Sequence, residues 1–209
     1  MQTASVAAAY DKWAPIYDLV FGNVFATGRA LSIAAAEQVG GRILEVGVGT
    51  GISLPRYSKD VRLVGVDISD SMLDKARERT RRLNLENVEQ IRVMDAEAMD
   101  FATGEFDVVV AQYVVTAVPN PEKALDEFLR VLRPGGEIVI TTRISADKGI
   151  RDRIEKMLMP VTSKLGWRTE FPWERYEAWA ARTPGVQLVE RRALPPLGHF
   201  SLVRYQKVA

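Results

Sequence analysis

Five short apolar runs rich in β-branched residues, separated by longer helical patterns and turns, constrain this chain more than any other feature of it. They are RILEV at 42–46, RLVGV at 62–66, EQIRV at 89–93, FDVVVAQ at 106–112 and GEIVITTR at 136–143. Nearly continuous apolar character suits strands covered on both faces, as in a parallel sheet flanked by helices. Between the strands, SDSMLDKARERTRRLNL at 69–85 opens with hydroxyl and acidic capping residues. NPEKALDEFLRVL at 120–132 opens with Asn120 and Pro121 and is stopped by RPGG. Strand alternating with helix requires right-handed crossovers, so the chain is expected to be an α/β protein with a doubly wound, mostly parallel sheet.

At 209 residues the chain suits one domain, with or without embellishments, and can bury a full core. Its 28 basic residues nearly balance 27 acidic ones, so no global field recommends a nucleic acid partner. There is no cysteine and one histidine, His199. A thiolate nucleophile is therefore excluded, and no metal site is expected. A serine triad would have to use that imidazole, and the chain carries no G-x-S-x-G elbow. MQTASVAAAYDKWAP lacks the pattern of a signal peptide, and no stretch is long and apolar enough to span a bilayer, so a cytoplasmic location is expected.

The first strand runs into ILEVGVGTGISL at 43–54, with three glycines at alternate positions and one carboxylate, Glu45, just ahead of them. A glycine-rich turn at this place lets a ligand approach the main chain, at the switch point where such sheets bind nucleotides. A dinucleotide fingerprint would need its third glycine at 52, where Ile52 stands, which disfavours a pyrophosphate cofactor.

LEVGVGTG, the acid closing the second strand in VGVDIS, MDAEAMDF after the third strand and LRPGG before the fifth together resemble the class I, seven-stranded S-adenosylmethionine-dependent methyltransferases. The likeness covers roughly residues 40–143. It implies a Rossmann-like, seven-stranded sheet over 41–209 and an N-terminal helical lid or extension over 1–40. It also implies that Glu45, Val46 and the backbone of Gly47, Gly49 and Gly51 lie against the methionine part of the cofactor. Asp67 would accept both ribose hydroxyls, Ile68 and Met72 would flank adenine, Asp95 and Ala96 would meet its edge, and Gln112 would complete the site. An ionised carboxylate is acceptor-only, which suits two vicinal hydroxyls. The alternative use of Asp67 is to cap the following helix.

The Asn/Asp-Pro-Pro-aromatic tetrapeptide of nucleic acid base methyltransferases is absent; AQYVVTAVPNP stands in its place. YDKWAPIYDLVFGNVFATGR at 10–29 instead resembles the start of bacterial phospholipid N-methyltransferases, which methylate phosphatidylethanolamine to phosphatidylcholine, as does the C-terminal LGHFSLVRYQKV. It is similar, more loosely, to quinone-biosynthesis methyltransferases. The resemblance thus implies successive methylation of the amino head group of phosphatidylethanolamine and its mono- and dimethyl derivatives. The alternatives are C- or O-methylation of a quinone precursor or other small molecule, and a non-catalytic cofactor-binding regulator.

Val6, Tyr10, Trp13, Tyr17, Val20 and Val24 draw one apolar-aromatic stripe at helical spacing, interrupted by Pro15. The valines suit the core; aromatic faces at Tyr10, Trp13 and Tyr17 suit an ammonium that becomes quaternary. Tyr17, with Tyr10 or through water, is the candidate for orienting the nitrogen. Tyr113 is expected in the same acceptor pocket. Arg143, at the end of the fifth strand, and His199 are candidates for the phosphodiester. Strand alternation puts His199 and Arg204 on opposite faces. The basic run from Lys75 to Arg82 reads as a solvated helix face. The expected protein is a monomer that works peripherally at the inner face of the membrane, with Trp13 to Phe25 as anchor, lid or both, and Lys12 and Arg29 at its ends meeting lipid phosphates.

Overall fold

In β1 (Arg42–Val46), Ile43 points into one core cluster while Leu44 and Val46 point into another on the opposite face. That is why its sequence reads as apolar throughout: both faces are covered. The computed structural model describes residues 25–144, 172–195 and 200–208. In chain order the further elements are α1 (Ala26–Val39), preceding β1, then β2 (Arg62–Asp67), α2 (Asp70–Arg82), β3 (Val88–Val93) and β4 (Phe106–Gln112). After these come α3 (Pro121–Val131), β5 (Leu132–Arg143), α4 (Trp173–Arg182), β6 (Val186–Leu194) and β7 (Phe200–Lys207). The seven strands lie in the order β3-β2-β1-β4-β5-β7-β6, all parallel except β7, which runs antiparallel to β5 and β6. The expected α/β, doubly wound architecture is therefore present.

One face is closed by α1 and α2, through Ile33, Ala36 and Leu73 against Ile43, Leu63, Val108, Val110 and Val139. The other is closed by α3 and α4, through Ala124, Leu125, Phe128, Tyr176 and Trp179 against Leu44, Val66, Val109, Ile138 and Val203. Each of these large side chains contributes about 1.5 to 3 kcal/mol by leaving water. The Trp179 indole N–H, which burial would otherwise strand, donates to Asp126 on α3 at 2.7 Å. Arg175 holds Glu122 through two bonds of 2.7 and 2.6 Å, so α4 is fastened to α3 on its outer side too. Among the described residues, no helix is long and apolar enough to cross a membrane.

Three local features depart from the sequence reading. Helix α3 does not end in a turn at RPGG: Leu132 is already extended and pairs with Phe106, and β5 resumes pairing at Glu137, so residues 133–136 bulge out of the strand. Gly136 is bare there because a side chain would strike the Asp107 carbonyl. Helix α2 stops at Arg82, where Asn84 takes a left-handed conformation (φ 48°) that asparagine tolerates. Strand β6 left no clear apolar signal because it is an edge strand; Leu188 and Val189 are exposed and Leu194 alone is buried.

Candidate cofactor and acceptor site

The carboxyl ends of β1, β2, β4 and β5 bring the chemistry-bearing residues to one edge of the sheet, on both sides of the switch point between β1 and β4. Leaving β1, the chain turns through Gly47 (φ 70°), Gly49 (φ 55°) and Gly51 (φ 70°), a conformation that side chains resist. The turn is tied down where Gly47 and Val48 both donate to the Val66 carbonyl, at 2.8 and 3.0 Å. The glycines are bare for different reasons. A side chain at Gly47 would overlap Val114, and one at Gly51 would crowd Leu54 and Ala76. Gly49 instead faces open space, so its bareness serves something outside the protein's own packing.

Asp67 closes β2 beside this opening. Its Oδ2 accepts from the Gly49 amide at 2.9 Å and its Oδ1 from the Ser69 amide at 3.0 Å, so the acid is held against the glycine turn. Asp67 does not cap α2. That work falls to Ser69, whose hydroxyl accepts from the Met72 amide at 3.3 Å.

Glu45 is only 2% exposed. Its Oε1 accepts from the Ser53 hydroxyl at 2.5 Å, whereas Oε2 has no hydrogen-bond partner. Burial pushes its carboxyl up to about 7, against the opposing pull of the Ser53 and Tyr57 hydroxyls and the Arg29 charge. A buried carboxyl at the end of β1, beside the glycine turn, is suited to pairing with a cation.

The remaining cofactor candidates form the rim. Val46 is buried beneath the turn, Ile68 is half-buried with surface to offer a planar ligand, and Met72 lies fully buried on the inner side of α2. Asp95 accepts from the Glu97 amide at 2.9 Å with Ala96 buried between them, and Gln112 sits half-buried at the end of β4. The buried Glu97 carboxylate takes both the main-chain and side-chain N–H groups of Asn120, at 2.7 and 2.8 Å, and so joins the loop after β3 to the start of α3.

On the acceptor side, Tyr113 has φ 64°, an uncommon conformation for a residue with a side chain and one that concentrates at functional sites. Its amide donates to the Thr141 carbonyl at 2.7 Å. Its ring lies 4.1 Å from Phe25 and 5.2 Å from Phe200, which stands edge-on to it. Arg143 ends β5 opposite Phe200. Tyr10, Trp13, Tyr17 and His199 lie outside the described residues.

Two sequence expectations are corrected here. Arg29 is 4% exposed within α1 and does not stand on a surface where it could meet lipid phosphates. The basic face of α2 is not wholly solvated: the Arg79 guanidinium donates to the Thr50 carbonyl and so braces the glycine turn. No sequence pattern distinguished Arg79 from its neighbours, and Phe25 and Phe200 carried no sign of meeting, since most of the chain separates them.

Gly28 offers a direct test of the aromatic wall, because a methyl group there would overlap the Tyr113 hydroxyl and crowd Thr141. Gly28→Ala is expected to displace the Tyr113 ring and destabilise the protein by about 1 to 3 kcal/mol. Chemical denaturation checks this, and an unchanged midpoint would show that the contact is slack.

Residues 44–140 match the family model described as a methyltransferase domain. Along 207 residues the chain is 42% identical to a phosphatidylethanolamine N-methyltransferase of Cereibacter sphaeroides, covering 99% of this chain and 100% of that protein. It is 29% identical to a ubiquinone/menaquinone biosynthesis C-methyltransferase of Cupriavidus taiwanensis, covering 95% of this chain and 84% of that one. Among solved structures it shares its fold with an S-adenosylmethionine-dependent methyltransferase of Thermotoga maritima, described as a possible histamine N-methyltransferase. The TM-score is 0.70 at 20% identity, over 97% of this chain and 99% of the other.

Proposed function

The chain belongs to the class I S-adenosylmethionine-dependent methyltransferases, and on that premise we propose that it methylates the amino head group of phosphatidylethanolamine and its mono- and dimethyl derivatives. S-adenosylmethionine is the methyl donor. The residues present suit it: the opening over Gly49, the acceptor-only Asp67 carboxylate at the end of β2 and the buried Glu45 carboxyl answer its bare-backbone, ribose and ammonium needs in turn. The acceptor reading is carried by the reach of the likeness to the Cereibacter sphaeroides enzyme, which extends past the cofactor half into both ends of the chain.

When bound, the cofactor supplies a sulfonium methyl that is already activated, so the reaction is an in-line displacement in which positioning does most of the work. The chain's residues then have three tasks. The head-group ammonium, with an ordinary pKa of roughly 10, must give up a proton, and desolvation against Phe25, Tyr113 and Phe200 favours the neutral amine. Tyr17, assisted by Tyr10, orients the nitrogen, and Trp13 adds a face for the methylated cation. Arg143 and His199 hold the phosphodiester. Membrane contact is assigned to the residues before α1, and Phe25, which adjoins α1, packs against Tyr113. The enzyme works as a monomer at an anionic membrane interface.

The test uses labelled S-adenosylmethionine with phosphatidylethanolamine vesicles, a quinone precursor or no acceptor. Label is expected in mono-, di- and trimethylated phospholipid. Label in the quinone precursor alone would overturn the acceptor reading, and transfer to neither, with the cofactor bound, would point to a regulator. Tyr17→Phe and Arg143→Ala are expected to cut lipid turnover by about 10-fold or more while S-adenosylhomocysteine affinity holds. Loss of that affinity in both would remove their acceptor roles.

A further inference from the structure

We propose that Glu97 is a positioning residue that couples the two halves of the site: by holding Asn120 it makes the loop that offers Asp95 to adenine and the segment that carries Tyr113 toward the acceptor respond as one. The Glu97 carboxylate is 6% exposed. Its Oε1 accepts from the Asn120 main-chain amide at 2.7 Å and its Oε2 from the Asn120 side-chain amide at 2.8 Å, so one residue engages both oxygens. Asn120 stands at the N-cap of α3, where an asparagine ordinarily turns its side chain onto its own helix. Here it makes no such cap and reaches across to Glu97 instead. The pair thus serves as a tie between two loops, with its negative charge at the favourable, amino end of α3.

Each end of the tie leads to the site. Toward β3, the Glu97 amide donates to Asp95 Oδ1 at 2.9 Å and Asp95 bridges to Ala98, so the backbone that carries Glu97 also sets the Asp95 carboxylate. Toward β4, the stretch between Tyr113 and Asn120 is a compact turn, in which the Ala117 and Val118 amides both donate to the Val114 carbonyl, at 2.7 and 3.2 Å. The Val114 side chain fills the space beside Gly47. Farther from the site, α3 holds the same loop independently: Glu127 accepts from the Met99 amide, and Arg130 donates to the Met99 and Phe101 carbonyls. Breaking the Glu97 tie therefore frees the part nearest the site and leaves the loop packed on the helix. The inference rests on the placement of adenine at Asp95 and of Tyr113 on the acceptor side, and holds whichever acceptor is methylated.

Hydrogen exchange read by mass spectrometry tests it with adenosine, which carries the adenine and ribose and lacks the sulfur and the amino acid tail. In the parent, saturating adenosine is expected to slow exchange about 5- to 10-fold in 95–98 by contact and in 113–118 through the tie. Asn120→Asp sets two carboxylates against each other and should lose the slowing in 113–118 while keeping it in 47–51 and 95–98. Adding Glu97→Gln to Asn120→Asp should restore it, since the glutamine amide donates to the new carboxylate and its carbonyl accepts the main-chain amide. A parent that shows no slowing in 113–118 overturns the proposal. So does an Asn120→Asp protein that keeps it, because the effect then passes through Val114 and the glycine turn. Slowing in 47–51 without slowing in 95–98 removes adenine from Asp95 and overturns the proposal with it. Should Asn120→Asp fail to fold, Asn120→Ala decides: it removes the side-chain bond alone and should lose about half of the slowing, and undiminished slowing overturns the proposal.

Discussion

Asp67→Ala is expected to weaken S-adenosylhomocysteine binding by about 100-fold, and more if the glycine turn relaxes as well. Two hydrogen bonds to an ionised carboxylate are lost with the side chain, each worth about 1.5 to 3 kcal/mol. The same carboxylate holds the Gly49 amide at 2.9 Å and the Ser69 amide at 3.0 Å, so its removal also frees the glycine turn proposed to hold the cofactor. The fold itself should survive. Asp67 is only half-buried and belongs to neither core cluster, and α2 keeps its cap at Ser69. Asp67→Asn should retain part of the affinity, since an amide oxygen still accepts one bond. Calorimetry that returned the parent's affinity for a folded Asp67→Ala protein would refute the ribose assignment.

Glu45 should make cofactor binding and folding respond to pH in opposite directions. Its carboxyl is raised from 4.5 to about 7, chiefly by burial. A folded-state pKa above the unfolded one means that the native protein binds the extra proton. The stabilisation is therefore fully present below about pH 4.5 and is lost as pH rises to about 7. Above that, the ionised buried acid costs the ligand-free protein about 3 kcal/mol relative to a neutral group at the same place. The cofactor's ammonium reverses the preference, because a bound cation favours the carboxylate. S-adenosylhomocysteine affinity should thus rise between pH 6 and 8, with a proton released on binding at the lower end. Glu45→Gln should abolish this pH dependence and weaken binding at pH 8, while raising the melting temperature of the ligand-free protein there. Affinity that is flat with pH in the parent would show that Glu45 does not ionise on binding.

Part of this architecture is local and part is not. Strands β1 and β4 were legible to the residue, and β2 nearly so, because a strand buried on both faces must be apolar along its whole length. The positions of Glu45, Gly49 and Asp67 were equally legible, since each is set by where a strand ends and a turn begins. Strand β6 was not: at the sheet's edge its outward side chains carry no requirement to be apolar, so Leu188 and Val189 stand among charged residues. Helix α4 signals itself only weakly, by Trp173, Tyr176 and Trp179 at intervals of three, and its partner Asp126 lies on another helix.

The sequence by itself determined the parallel strands β1 to β5, the glycine turn and the acid beside it, because strand burial and positive φ are demands that neighbouring residues must meet together. Tertiary structure alone decided the burial that raises the Glu45 carboxyl, against the opposing pull of the Ser53 and Tyr57 hydroxyls. It also decided that Arg29 is buried within α1 instead of exposed to lipid, and that Phe25, Tyr113 and Phe200 share one wall. Burial and electrostatics depend on everything within several ångströms, and those neighbours come from segments that only the fold brings together.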